Sequence, residues 1–122
     1  TVSITLLVVL FGCKEEPGNP NPPPADTTVS YTHHIRPIFN SDCVSCHSDR
    51  RPSGGLDLST YEALRAGGIS GDPVVPGQPD SSLLIQSVDG TMTSHIPYFT
   101  YPAGDTSLVL LRRWVAQGAL NN

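Results

Sequence analysis

Cys43-Val44-Ser45-Cys46-His47 is the stretch on which the reading of this 122-residue chain turns. The Cys-x-x-Cys-His spacing is that of a c-type haem attachment site. Two intervening residues let both sulfurs reach neighbouring vinyl groups of one porphyrin from a single turn of backbone. His47 follows directly, so its imidazole is expected beneath the ring as the proximal iron ligand. Three other uses of the spacing compete. A thioredoxin-like redox pair belongs beside a βαβ pattern, which is missing here. Structural zinc takes four ligands, usually from two separated Cys/His pairs, and no second Cys pair exists. A disulfide closing so short a loop would constrain the chain little. The expected cofactor is one haem c, held covalently by Cys43 and Cys46 and ligated by His47. No repeat of the motif is present to hold another.

The rest of the composition fits a small domain that needs a staple. With 11 glycines and 12 prolines the chain reads as loop-rich rather than built from long regular elements. Such a domain buries limited apolar surface and often relies on a covalent or metal cross-link. The net charge is −4 and the basic residues are scattered, which gives no footprint for nucleic acid.

The first residues read as an address. Thr1 to Phe11 is nearly all apolar, too short for a transmembrane helix and suited to the apolar region of a secretory signal. No basic leader precedes it, so residues 1–12 are expected to be the remainder of a signal peptide whose start lies upstream. Leu10-Phe11-Gly12-Cys13 resembles a bacterial lipobox, in which cleavage before the Cys leaves it lipidated. The small residue before Cys13 and the polar drop after it favour lipidation over an ordinary signal with an incidental Cys. The three cysteines are then all used, one for lipid and two for haem. Lys14-Glu15-Glu16 resembles a signal for display on the surface of some Gram-negative bacteria, and reads equally as the solvated start of a tether. Pro17 to Thr28 is rich in Pro, Asn and Gly and is expected to be extended. The expected organisation is therefore signal peptide 1–12, lipid-anchored tether 13–28 and folded domain 29–122. The expected location is the cell envelope of a Gram-negative bacterium, lipid-anchored and facing the periplasm or the cell surface.

Within the domain the pattern is helical. Tyr31 to Asn40 predicts a helix with Thr32 as N-cap, Pro37 near the first turn and Ile35, Ile38 and Phe39 as its apolar face. It would run into the Cys-x-x-Cys-His turn. His33 and His34 read as exposed polar residues at the helix start. Ser59-x-x-Glu62 reads as a capping box opening a helix over 61–66 that stops at Gly67-Gly68. Asp80 would cap a helix over 81–88 with Leu84, Ile85 and Val88 buried. Residues 89–104 read as irregular, and Asp105 or Thr106 would cap a last helix running to Gln117 and ending at Gly118. Leu108, Leu111 and Val115 form its stripe, widened by Leu110 and Trp114. No strand is convincing, so the fold class is mainly α.

These residues carry a resemblance. Ile35-x-Pro37-Ile38-Phe39, the Cys-x-x-Cys-His motif, Gly54-Gly55-Leu56-Asp57-Leu58, Tyr61, Gly67-Gly68, Pro76-Gly77, Ser82-Leu83-Leu84 and Trp114-x-x-Gln117-Gly118-Ala119 together resemble the planctomycete-type cytochrome c family. The resemblance spans nearly the whole of 29–120. It implies a class I-like cytochrome c fold, with an N-terminal helix meeting a C-terminal helix and haem in a pocket between loops. It also implies electron transfer rather than catalysis. One departure matters. Where the family has a Met-Pro pair before the last helix, with Met as distal iron ligand, this chain has Ile96-Pro97. Met92, the one methionine of the chain, and His95 are the two nearby candidates for the distal position. A third possibility leaves that position to water or an exogenous ligand.

The resulting expectation is a non-enzymatic, single-haem electron carrier that exchanges electrons with redox proteins of the envelope and meets the membrane through lipidated Cys13. Arg36, Arg50 and Arg51 are candidates to pair with haem propionates, and the Pro52 region to hold the second nitrogen of His47. The rivals are a ligand-binding haem sensor or weak peroxidase with an open sixth position, and a scaffold module whose haem is only a staple.

Overall fold

Pro37 decides how the first helix forms. A proline inside a helix removes an N–H and its ring presses on the carbonyl four residues back. In the computed structural model the chain answers with a wider turn. Tyr31–Ile35 is one turn of π-helix, and regular helix α1 runs over Arg36–Asp42 with Pro37 in its first turn. The single helix expected over 31–40 is thus two pieces, and it continues to the residue before Cys43. Its N-cap is Ser30, whose hydroxyl accepts from the His33 N–H. Thr32, the expected cap, lies inside the turn and donates its N–H to the carbonyl of Asn122 at 2.9 Å. The structure describes residues 23, 24, 26–96 and 98–122. The expected signal peptide, Cys13, Lys14-Glu15-Glu16 and most of the tether lie outside the described residues, as does Pro97.

Two further caps fall one or two residues from their expected places. Helix α2, Tyr61–Ala66, is capped by Thr60, whose hydroxyl accepts from the Ala63 N–H. Ser59, the expected cap, instead donates its hydroxyl to the Asp57 carboxylate at 2.6 Å. The helix expected over 81–88 is split into a 3-10 turn, Pro79–Ser81, and helix α3, Leu83–Val88. The break is at Ser82, which is fully buried. Its hydroxyl accepts from Val75 N–H and donates to the Gln78 carbonyl, each at 2.9 Å, and its backbone stays extended. Asp80 caps nothing and pairs with Arg112. Arg112 also reaches Asp89 at 3.5 Å, so it spans both ends of α3, although exposed pairs of this kind contribute little stability.

Helix α4, Thr106–Ala116, begins as expected. The Asp105 carboxylate accepts from the N–H groups of Ser107 and Leu108 at 2.8 and 3.4 Å. All five residues of its predicted stripe are buried. At the centre is Trp114, fully buried, with the rings of Tyr31 and Tyr61 centred 5.9 and 6.4 Å away. The π-turn is the part of the N-terminal helix that packs on α4. The end of the chain fastens this contact. The Gln117 side chain accepts from Val29 N–H at 2.7 Å and donates to the Thr27 carbonyl at 3.2 Å. Trp114 Nε1 donates to the Leu120 carbonyl at 2.9 Å, and the Tyr61 hydroxyl to the Ala119 carbonyl at 2.8 Å. Among the described residues there is no strand, only isolated bridges at His47–Pro52 and Gly68–Gly71. The fold is mainly α-helical, as the pattern predicts.

Candidate haem site

Helix α1 delivers the motif. The N–H groups of Cys43 and Val44 both reach the Phe39 carbonyl, and those of Cys46 and His47 both reach the Cys43 carbonyl. One continuous turn therefore carries both sulfurs and the imidazole. All three side chains line a single cleft of about 660 Å³, within the roughly 300–1,000 Å³ of small-molecule and cofactor sites. Leu56 and Leu58, Leu84 and Val88 of α3, and Phe99 from the loop before α4 supply apolar side chains to its lining. An apolar slot with few polar atoms suits a flat macrocycle, and the donors at its mouth are those a c-type haem needs.

The two thiols sit in different surroundings. Cys46 is exposed and Cys43 is partly covered. Burial, reinforced by the neighbouring Asp42 carboxylate, pushes the Cys43 thiol up from 9.0 to about 12. In the haem-free protein it is neutral and packs as part of the apolar wall.

His47 is oriented by its other nitrogen. Nδ1 lies 3.3 Å from the Leu56 carbonyl. A carbonyl only accepts, so Nδ1 carries the proton and Nε2 keeps its lone pair. The expected acceptor near Pro52 is thus replaced by Leu56, and Pro52 pairs with His47 through backbone instead. Leu56 is in turn held by a glycine contact. Ile69 N–H donates to the Gly54 carbonyl at 2.9 Å. A Cβ built on Gly68 would lie 2.5 Å from the Gly54 carbonyl and 3.0 Å from the Leu56 nitrogen. Only glycine lets the 67–71 turn lie flat on the 53–56 turn, so the Gly-Gly-Leu and Gly-Gly stretches are two halves of one support for the His47 imidazole.

His95 and Met92 both line the same cleft. His95 Nδ1 donates to the Phe99 carbonyl at 2.9 Å, which again leaves Nε2 free. The His47 and His95 rings are centred 6.3 Å apart and 19° from parallel. The Met92 sulfur lies 3.5 Å from the Ser87 hydroxyl. Ile96, at the family's ligand position, is not part of the cleft wall. His33 and His34 stand away from it, His34 Nδ1 accepting from the Ser30 N–H at 2.8 Å. Of the three arginines singled out for propionates, Arg51 lines the cleft and Arg36 and Arg50 do not. Among the described residues no group of three or more His, Cys, Asp or Glu side chains converges as a site for a bare metal ion.

One contact escaped sequence reasoning. The Tyr101 hydroxyl donates to the Asp42 carboxylate at 2.6 Å. Burial and that bond hold its ionisation well above the usual phenol range. The bond clasps the loop before α4 to the end of α1, beside Cys43. An aromatic residue four positions ahead of a helix cap was the only signal for it.

No curated protein and no solved structure matches the chain. The family model described as Planctomycete cytochrome C matches residues 43–95. That match runs from the first cysteine of the motif to the histidine facing it across the cleft, and over these residues the chain is similar to the planctomycete cytochrome c family.

Proposed function

We propose that this protein is a single-haem c-type cytochrome that carries one electron at a time in the bacterial cell envelope, tethered there by lipid on Cys13. The observation that carries the reading is the convergence of Cys43, Cys46 and His47 on one apolar cleft, with His47 Nδ1 tied to the Leu56 carbonyl. The two thiols would hold the group covalently, and His47 Nε2 would ligate its iron. A haem bound there supplies a reversible Fe(III)/Fe(II) couple. The chain's own work is to keep geometry constant between the two states. Leu56 fixes the imidazole, Leu58, Leu84 and Val88 exclude water, and the Tyr101–Asp42 clasp holds the cleft wall beside Cys43. Arg51, which lines the cleft, would pair with a propionate. With the geometry held constant between the two states, the protein is proposed as a carrier, not an enzyme, with redox proteins of the envelope as its partners.

A potentiometric titration followed by absorbance tests this on protein exported from a haem-attaching host. One reversible transition is expected, with a tenfold change in the oxidised-to-reduced ratio per about 59 mV, as for one electron. A chain that acquires no haem spectrum, or one that turns over peroxide instead of cycling reversibly, would defeat the proposal.

A further inference from the structure

We infer that His95 is the sixth ligand of the haem iron, facing His47 in a bis-imidazole pair, and that Met92 is not a ligand. The inference rests on the haem-carrier reading and specifies the side of the site that the family resemblance leaves without its usual residue.

The two histidines are prepared in the same way. Each gives its Nδ1 proton to a backbone carbonyl, His47 to Leu56 at 3.3 Å and His95 to Phe99 at 2.9 Å. A ligating histidine is ordinarily held by just such a bond from its other nitrogen, which fixes the tautomer and raises ligand basicity. An isolated surface histidine has no need of it. The separation also agrees. Two imidazoles bonded through Nε2 to one metal at roughly 2.0–2.1 Å, with about 1.2 Å more from nitrogen to ring centre, have ring centres about 6.4 Å apart. The observed value is 6.3 Å with the rings 19° from parallel. No further His, Cys, Asp or Glu joins the pair among the described residues. Two axial donors without in-plane partners call for a metal that brings its own equatorial ligands.

The backbone around His95 holds it to this task. The His95 N–H donates to the Met92 carbonyl at 3.1 Å, and the His95 carbonyl accepts from Tyr98 and Phe99 at 3.0 and 3.3 Å. The Tyr98 ring lies edge-on to the imidazole, 6.3 Å between centres. Met92 has no comparable restraint. Its sulfur packs against Ser87, whose hydroxyl proton goes to the Leu83 carbonyl at 2.7 Å. Met92 fills the corner between α3 and the loop, as flexible thioethers do. The ligand has moved one residue upstream of Ile96. With imidazole in place of thioether on the iron, the potential falls below that of a Met/His site. With both axial positions filled by the chain, the reduced protein is closed to added gases.

Haem-loaded wild type, Met92→Leu, His95→Ala and His95→Met separate the alternatives. Wild type and Met92→Leu are expected to show the same low-spin spectrum, no sulfur-to-iron charge-transfer band and no carbon monoxide adduct when reduced. His95→Ala should become high-spin and bind carbon monoxide, and added imidazole should restore the low-spin spectrum. His95→Met should introduce the sulfur band and raise the midpoint potential. A sulfur band in wild type that vanishes in Met92→Leu would overturn the assignment, and so would a wild type already high-spin and open to carbon monoxide. In the first case the covalent haem would still be present and the carrier reading untouched; in the second the covalent haem would remain, but the open iron position would favour the ligand-binding rival over the carrier. A wild type without covalent haem would overturn both.

Discussion

Adding one methyl group at Gly68 should unsettle the proximal imidazole from a distance. In Gly68→Ala the new Cβ would lie 2.5 Å from the Gly54 carbonyl oxygen and 3.0 Å from the Leu56 nitrogen, both backbone atoms that cannot rotate aside. Relief to an ordinary contact of about 3.5 Å requires the 53–56 turn to retreat by about 1 Å. That motion breaks the bond from Ile69 N–H to Gly54 and stretches the 3.3 Å contact between His47 Nδ1 and the Leu56 carbonyl beyond hydrogen-bonding range. Overpacking costs about 1–3 kcal/mol, and the stiffer unfolded chain of the alanine variant returns about 0.4–1 kcal/mol of it. The net loss of about 1–2 kcal/mol lowers Tm by about 4–8 °C per kcal/mol in a domain of this size. The assay is thermal unfolding of the holoprotein together with its midpoint potential, since a proximal histidine freed from its carbonyl is a poorer donor. Gly71 provides the control, because a Cβ there meets nothing and only its φ of +88° is strained. If Gly68→Ala melts as high as wild type with an unchanged potential, the glycine contact does not position His47.

Tyr101→Phe should cost about 1.5 kcal/mol, the low end for a hydrogen bond to a charged group because Asp42 is half-buried. Chemical denaturation would measure it, and Tyr101→Phe combined with Asp42→Asn should cost no more than the larger single change. The haem-free protein should lose stability above its ordinary thiol range. The fold favours the neutral Cys43 thiol, so its contribution is complete below pH 9 and declines as pH rises towards about 12. Tyr31 and Tyr101 are also held above the phenol range, mainly by burial, and add a loss above about pH 10 in the haem-free and loaded forms alike. Thioether formation removes the Cys43 proton, so denaturant melts of the two forms should diverge over that window.

What was legible in the chain was whatever depends on neighbours in sequence. The Cys-x-x-Cys-His turn, the stripe of α4 and its Asp105 cap each lie within a turn or two of backbone; the turn forms as one continuous piece, and the stripe and the cap stand where the pattern puts them. The misplaced caps share a different cause. Thr32, Ser59 and Asp80 all have a cap's chemistry, but the backbone N–H of Thr32 is tied to Asn122, and the side chains of Ser59 and Asp80 are engaged by Asp57 and Arg112. Ser82 breaks a helix because its buried hydroxyl answers Val75 and Gln78. The support of His47 was equally hidden. Leu56 is nine residues away along the chain, and only the approach of Gly68 to Gly54 shows why its carbonyl is the one available. At the distal side the sequence left Met92 and His95 open, and the inference in favour of His95 draws on the Phe99 carbonyl and the spacing of two rings.

The central claim is that Cys43 and Cys46 bind one tetrapyrrole through thioethers, and intact mass spectrometry of the exported chain under denaturing conditions tests it most directly. The account predicts the polypeptide mass plus that of a single haem, abolished in Cys43→Ala/Cys46→Ala. A denatured wild-type chain carrying no added mass would contradict it.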